Sequence, residues 1–113
     1  MDKNCLFCKI SNGDIPAKKL YEDDDVVAFW DINPQAPKHF LVIPRKHLTG
    51  PDTIAPADQE LVGKLMRTAA RLAAEQGIPQ FRLVVNNGEQ AGQTVFHLHM
   101  HILGGRALNW PPG

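Results

Sequence analysis

The sequence predicts an α+β domain: an antiparallel sheet with one long helix on a face. Short segments rich in β-branched and aromatic residues alternate with turn residues, which is typical of strands. One longer stretch carries apolar residues at helical spacing. A short glycine-bearing connection, 88–92, separates the last two strand segments, as in antiparallel hairpins. We expect a single domain, 1–113, of 12.5 kDa, large enough for a modest core.

The strands and the first helix can be placed along the chain. Residues 5–12 predict one or two helical turns before Gly13. Pro44 ends the second strand, and the Gly- and Pro-rich tail after the last strand predicts no regular structure. The predicted strands are 26–32, 39–45, 81–87 and 94–103.

Residues 56–76 predict the long helix. Pro56 suits its first turn, and Gly77 followed by Pro79 supplies the stop. The apolar residues that share one helical face are Leu61, Val62, Leu65, Met66, Ala69, Leu72 and Ala73.

Composition excludes several classes of function. Twelve basic and twelve acidic residues cancel, so no broad field would attract nucleic acid or an anionic membrane. No apolar run is long enough for a membrane span or a secretion signal. Two cysteines are too few for a disulfide framework. We therefore expect a cytoplasmic protein with neither a nucleic-acid nor a membrane partner.

Three histidines at two-residue spacing, His97, His99 and His101, interrupt an apolar segment. On a strand they would share one face, with the outer two about 13 Å apart, too far for one metal ion. A solvated polar face, a metal-binding His-x-His pair and nucleophilic catalysis are the possible interpretations. Neutral imidazole is a good nucleophile near pH 7, and this favours catalysis. The residues expected on the opposite, core-facing side are Phe96, Leu98, Met100 and Ile102.

Groups suited to phosphate binding lie close to this segment. Gly92, Gln93 and Thr94 precede it and could offer backbone N–H groups and a hydroxyl, and Asn86 ends the adjacent strand. Nucleophilic attack on phosphorus needs such donors around the phosphoryl oxygens.

The pair Cys5 and Cys8 forms a single C-x-x-C motif with no second copy. A redox motif would normally follow a strand in a βαβ unit, and that context is absent. Zinc would need two further ligands, for which free histidines exist. Two inert buried thiols remain a third interpretation.

The chain resembles the histidine triad (HIT) superfamily, and within it the Hint branch of nucleotide-binding proteins. HLHMHIL matches the family's motif of three histidines alternating with apolar residues. The resemblance extends over nearly the whole chain. It rests on the segments 15–32, 31–47, 84–106 and the terminal WPPG, 110–113.

The resemblance implies a HIT-like fold that pairs into a homodimer and hydrolyses purine nucleoside 5′-phosphoramidates. By family position, His99 would attack the α-phosphorus and form a nucleotidyl-histidine intermediate. The carbonyl of His97 would hold His99 in the reactive tautomer, and His101 would hydrogen-bond the phosphate oxygens or the leaving group. His39 matches a fourth histidine beside the triad.

The same resemblance implies the other contacts. Asn86, Gly92 and Thr94 would bind the phosphate, and Asp31 would hold the ribose hydroxyls. Zinc, where the family binds it, would take Cys5 and Cys8 with two histidines, and no organic cofactor is implied. The base contacts would be Phe7, Phe29 and Ile32, and the two histidine ligands of zinc would be His47 and His97.

Other functions remain open at this point. The same intermediate would serve a dinucleoside polyphosphate hydrolase or a nucleotidyltransferase. A nucleotide sensor or interaction module with weak catalysis, or a zinc-stabilised scaffold, would belong to a different class.

Overall fold

The computed structural model describes residues 4–113. Its sheet has five strands, and every neighbouring pair of them is antiparallel. The helices and strands, in chain order, are α1 (Leu6–Asn12), β1 (Lys19–Glu22), β2 (Val26–Trp30), β3 (Lys38–Pro44), α2 (Gln59–Glu75), β4 (Phe81–Val84) and β5 (Met100–Gly104). The order across the sheet is β1-β2-β3-β5-β4. The predicted α+β class is confirmed.

The two faces of the sheet pack against different helices, since successive side chains of a strand point to opposite faces. On one face α2 covers a core that contains Val26, Ala28, Phe40, Val42 and Ile102. On the other face α1 covers a second cluster that contains Val27, Phe29, Leu41 and Ile43. In β5, Met100 and Ile102 face the α2 core, so His101 points to the α1 face.

Helix α2 begins one short turn later than predicted, because Pro56–Asp58 form a 3₁₀ turn before it. It ends at Glu75, and Gly77 adopts a left-handed φ of 74°, as the stop signal predicts. Leu65, Ala69, Leu72 and Ala73 are buried as expected, but Met66 is 53% exposed. Met66 therefore lies at the edge of the apolar face, outside the core.

The prediction of a strand over 94–103 is wrong in its first half. Only Met100–Gly104 joins the sheet, and residues 95–97 form a bend. The backbone N–H of Leu98 donates to the carbonyl of Leu48 (2.6 Å), outside the strand pairing. Phe96, predicted to be in the core, is 48% exposed.

The expected five-residue hairpin connection is also wrong. β4 and β5 do pair as antiparallel neighbours, but residues 85–99 join them, with a 3₁₀ turn at Glu89–Ala91. β1 was not predicted, because its four residues, KLYE, place two adjacent large side chains between two charged ones and show no alternation. Within residues 4–113, no helix combines the length and the apolarity needed to cross a bilayer.

Candidate active site

His99 lies on the α1 face of the sheet with one ring nitrogen already occupied. Its Nδ1–H donates to the backbone carbonyl of His97 at 2.7 Å. The proton therefore resides on Nδ1, and Nε2 keeps its lone pair. Among the rings packed against it, Phe7 contacts the imidazole edge to face, with centroids 5.0 Å apart. These two contacts hold the ring in one tautomer and one orientation.

Burial lowers the pKa of His99 below its usual value of 6.5. The hydrogen bond to the His97 carbonyl and the carboxylate of Asp31 oppose this shift without reversing it. His99 is only 6% exposed. Its imidazole is consequently neutral at neutral pH, which is the nucleophilic form.

His39 and His101 form a directed hydrogen-bond chain beside His99. The backbone N–H of Gln35 donates to Nδ1 of His39 at 3.1 Å, so the proton of that ring is on Nε2. This Nε2–H faces Nδ1 of His101 at 3.0 Å. His101 must then carry its own proton on Nε2, and it offers an N–H donor to the cavity. Burial lowers the pKa of His101 to about 4, which also keeps it neutral.

A cavity of about 530 Å³ opens beside these histidines, and we call it the histidine cleft. His99 and His101 lie in its wall with Asp31, whose Oδ2 is 3.4 Å from Nε2 of His39. The predicted phosphate and base residues all line it: Asn86, Gly92, Thr94, Phe7, Phe29 and Ile32. Its other walls are mainly apolar, contributed by Leu6, Ile10, Ile15, Pro16, Ala17, Trp30, Leu41 and Val95.

The side chain of Gln93 holds the loop that carries Gly92 and Thr94, and no sequence pattern predicted this role. Gln93 is 3% exposed, and its Nε2 donates to the carbonyls of Thr49 (2.7 Å) and Val95 (3.1 Å). Its Oε1 accepts from the N–H of Gly88 at 2.8 Å. No local pattern marks this glutamine, because its partners include a residue 44 positions away. Gly92 has φ 100°, which glycine adopts without strain.

His97 is fully buried and faces away from the histidine cleft, toward the two cysteines. Its Nδ1 lies 3.3 Å from Sγ of Cys5 and 3.5 Å from Sγ of Cys8. His47 completes the group, with its Nδ1 3.1 Å from Nδ1 of His97 and 3.3 Å from Sγ of Cys8. All four ligand atoms lie within 4.8 Å of one another. We call this group the Cys₂His₂ cluster.

The four distances given above are close to the edges of a tetrahedral metal site, for which zinc is the example. Bond lengths of about 2.3 Å to sulfur and 2.05 Å to nitrogen give ligand–ligand edges of about 3.5 Å for S–N and 3.4 Å for N–N. The hydrogen bonding of His97 also fits a metal ligand, because its Nε2–H donates to the carbonyl of Pro44 at 2.8 Å. That bond leaves Nδ1 free to bind a metal, as ligating histidines require. Burial lowers the pKa of His97 to about 4, so no proton competes at neutral pH.

A second group, Asp31, His39 and His101, also brings its ligand atoms within 4.8 Å of one another. It does not fit a metal. To ligate through Nε2, His39 would have to move its proton to Nδ1, which already faces the donor N–H of Gln35. The N–H of Gln35 and a proton on Nδ1 of His39 would then face each other, with no acceptor between them. These three residues therefore make a hydrogen-bonded group.

The predicted residues thus fall into two adjacent sites. The histidine cleft brings together His99, His101 and the residues predicted for phosphate, ribose and base, with His39 directly behind His101. The Cys₂His₂ cluster lies behind it. His97 belongs to both, because its side chain enters the cluster while its carbonyl orients His99.

Comparisons with known proteins agree with this architecture. The HIT domain family matches residues 12–108. An uncharacterized HIT-like protein of Synechocystis sp. is 54% identical over 114 aligned positions, covering 100% of both chains. A HIT family hydrolase from Legionella pneumophila superposes with a TM-score of 0.95 at 46% identity, over 97% of this chain and 100% of that one. A histidine triad protein from Clostridium difficile gives 0.93 at 43% identity, over 96% of each chain.

Proposed function

Because the chain belongs to the HIT domain family, we propose that it is a nucleotide-binding hydrolase that cleaves the P–N bond of purine nucleoside 5′-phosphoramidates. The products are a nucleoside monophosphate such as AMP and an amine. The observation that carries this proposal is the 2.7 Å hydrogen bond from His99 to the His97 carbonyl, which leaves a nucleophilic nitrogen on a ring that lines the cleft.

In the first step, Nε2 of His99 forms a bond to phosphorus and the P–N bond breaks. The bonding electrons leave with the nitrogen, which takes one proton from solvent and departs as the amine. Positive charge grows on the imidazole as its lone pair is shared, and the His97 carbonyl stabilises this charge through Nδ1–H. Nε2–H of His101 is available to donate to a phosphoryl oxygen, since its Nδ1 is already occupied.

In the second step, water attacks phosphorus and the P–Nε2 bond breaks. The electrons of that bond return to His99, which becomes neutral again, and the proton lost by water passes to solvent. The sum is hydrolysis of one phosphoramidate by one water molecule. Preorganised donors such as Asn86, Thr94 and His101 would stabilise the phosphoryl oxygens in both steps, each worth about 3 kcal/mol.

The charge of the cleft supports a substrate with a single phosphoryl group. Among the described residues, no lysine or arginine lines it, and its one charged side chain is the acidic Asp31. Both histidines in its wall are neutral at pH 7, as the pKa shifts of His99 and His101 imply. A polyphosphate chain would bring several negative charges without a cation to pair them. A nucleoside phosphoramidate brings only one negative charge.

Asp31 would bind the ribose. Its Oδ1 accepts from the N–H of Asn33 at 2.8 Å, while Oδ2 borders the histidines. A carboxylate can accept hydrogen bonds from two vicinal hydroxyls. The apolar walls contributed by Phe7, Phe29 and Ile32 would stack on a purine.

We also propose that the Cys₂His₂ cluster binds Zn²⁺ as a structural ion. The distances and the orientation of His97 support this ligand set. A zinc ion with four protein ligands supplies no open position for catalysis. Its contribution would be to anchor His97, whose carbonyl orients the nucleophile.

A homodimer is the assembly that we propose. β4 is an edge strand with half-buried side chains, and an unpaired edge invites pairing with another chain. Val85 just beyond it is 38% exposed, and Trp110 in the tail is 81% exposed. Light scattering after gel filtration should give twice the chain mass of 12.5 kDa; a monomer at micromolar concentration would reject the dimer.

The enzymatic proposal is tested with adenosine phosphoramidate, diadenosine polyphosphate and a nucleotide sugar, following release of AMP. Wild-type protein should prefer the first substrate. His99→Ala should be nearly inactive yet still bind AMP, and rapidly quenched wild-type reactions should contain an adenylylated peptide that spans 94–106. Equal rates for wild type and variant would exclude His99 as the nucleophile. Preferred cleavage of the polyphosphate would replace the proposed substrate.

A further inference from the structure

A smaller cavity of about 300 Å³ adjoins the histidine cleft, and we call it the side pocket. It shares Leu6, Thr94 and Val95 with the cleft, so the two cavities border each other along the loop that precedes the histidines. No described histidine lines it. The described residues that line it are Asn4, Cys5, Leu6, Thr94, Val95 and Phe96.

Phe96 lines the side pocket, although the alternation of the sequence predicts it in the core. The bend at 95–97 turns its ring out of the core and leaves it 48% exposed. Leu6, on the same pocket, is 43% exposed. Two large apolar side chains thus remain open to solvent on the wall of a pocket that touches the proposed phosphate loop. Exposed apolar surface that lines a cavity next to a site is typical of a binding surface.

Resting on the phosphoramidase function proposed above, we propose that the side pocket holds the amine side of the substrate and favours apolar, uncharged amines. In-line displacement places the departing nitrogen on the side of phosphorus away from the attacking His99. A phosphoryl group held at Thr94 stands at the junction of the two cavities. Its departing group can then enter the pocket that contains no histidine.

The chemistry of the lining sets the class of leaving group. Among the described residues, no aspartate, glutamate, lysine or arginine lines the side pocket, so these residues offer a cationic amine no partner. Phe96 offers an aromatic ring for an edge or stacking contact. The volume accommodates one aromatic or branched aliphatic group. The preferred substrates are therefore adenosine phosphoramidates of apolar amines, ahead of those with a terminal ammonium group.

The experiment compares kcat/KM for adenosine phosphoramidates of ammonia, propylamine, tryptamine and 1,5-diaminopentane. Wild-type protein should favour tryptamine over the diamine. Phe96→Ala should lower the ratio of tryptamine to ammonia kcat/KM by about tenfold, the usual size of one aromatic contact. Phe96→Tyr should keep the ratio. Met66→Ala is the matched control, because Met66 is also exposed but lines neither the side pocket nor the histidine cleft.

The outcomes separate this inference from the proposed function. Failure of wild-type protein to hydrolyse the ammonia compound would defeat the phosphoramidase proposal itself. If that compound is hydrolysed and Phe96→Ala changes all substrates alike, or changes none, the side pocket is not the amine subsite. The subsite would also be wrong if Trp110→Ala abolished the tryptamine preference while Phe96→Ala preserved it, since the amine would then lie at the tail.

Discussion

Replacement of Cys8 by serine tests how much of the fold depends on the Cys₂His₂ cluster. The side chain of Cys8 is 1% exposed, and its Sγ lies 3.3 Å from Nδ1 of His47. Serine is nearly isosteric but a far poorer zinc ligand, so the substitution removes one ligand with little change in volume. We expect wild-type protein to contain one zinc ion per chain and Cys8→Ser to contain much less.

The size of the effect follows from linkage. A metal present at about 1,000 times its dissociation constant stabilises the folded state by about 4 kcal/mol. At about 2.1 cal/mol/K per residue, the entropy of unfolding of a chain of this length converts this to about 15 to 20 °C in Tm. Cys8→Ser should therefore unfold at least about 15 to 20 °C below wild-type protein when zinc is supplied.

The assay is thermal unfolding with and without a strong chelator, under reducing conditions, together with metal analysis of the purified protein. The chelator should lower the Tm of wild-type protein by about 15 to 20 °C and leave the variant almost unchanged. With chelator, the two proteins should differ by no more than about 1–3 kcal/mol, the cost of burying a hydroxyl. Wild-type protein that lacks metal and does not respond to the chelator would refute the metal centre.

Three further outcomes are expected. His39→Leu should lower kcat about tenfold with little change in KM. The substitution removes the hydrogen bond that holds His101 in its tautomer, which is worth about 1.4 kcal/mol. An unchanged kcat would contradict this role of His39. The hydrogen bond from Lys46 lowers the pKa of Asp58 below its usual 3.8. The carboxylate of Asp58 therefore stabilises the folded state above that pH, and this stabilisation is lost as the pH falls below it. The Tm difference between wild-type protein and Asp58→Asn should therefore be larger at pH 7 than at pH 3, and a constant difference would contradict this linkage. Leu65→Ala should lower the free energy of unfolding in urea by about 2–5 kcal/mol, because Leu65 is fully buried. Met66→Ala, at a 53% exposed position, should lower it by less than about 1 kcal/mol. Equal losses of stability would show that the two positions pack alike.

Local patterns accounted for most of the sheet and the long helix. Alternation along β3 separates Phe40 and Val42, which face α2, from Leu41 and Ile43, which face α1. The periodic segment before Gly77 formed α2 with its ends shifted by one to three residues. The strand predicted over 94–103 failed at its start, because long-range hydrogen bonds outweighed strand propensity there.

The chemical groups of the site can be read from the sequence, since the spacing of His97, His99 and His101 and the pair of cysteines are visible in it. The tautomer and the partners of each ring depend on the fold. His97 meets Cys5 across 92 positions of chain, and His101 meets His39 across 62. A ring's tautomer depends on which donor or acceptor faces each nitrogen, and those partners come from distant segments that no local pattern records. The same bend that turns His97 into the cluster leaves Phe96 exposed, so division of the histidines between two sites is a property of the folded chain.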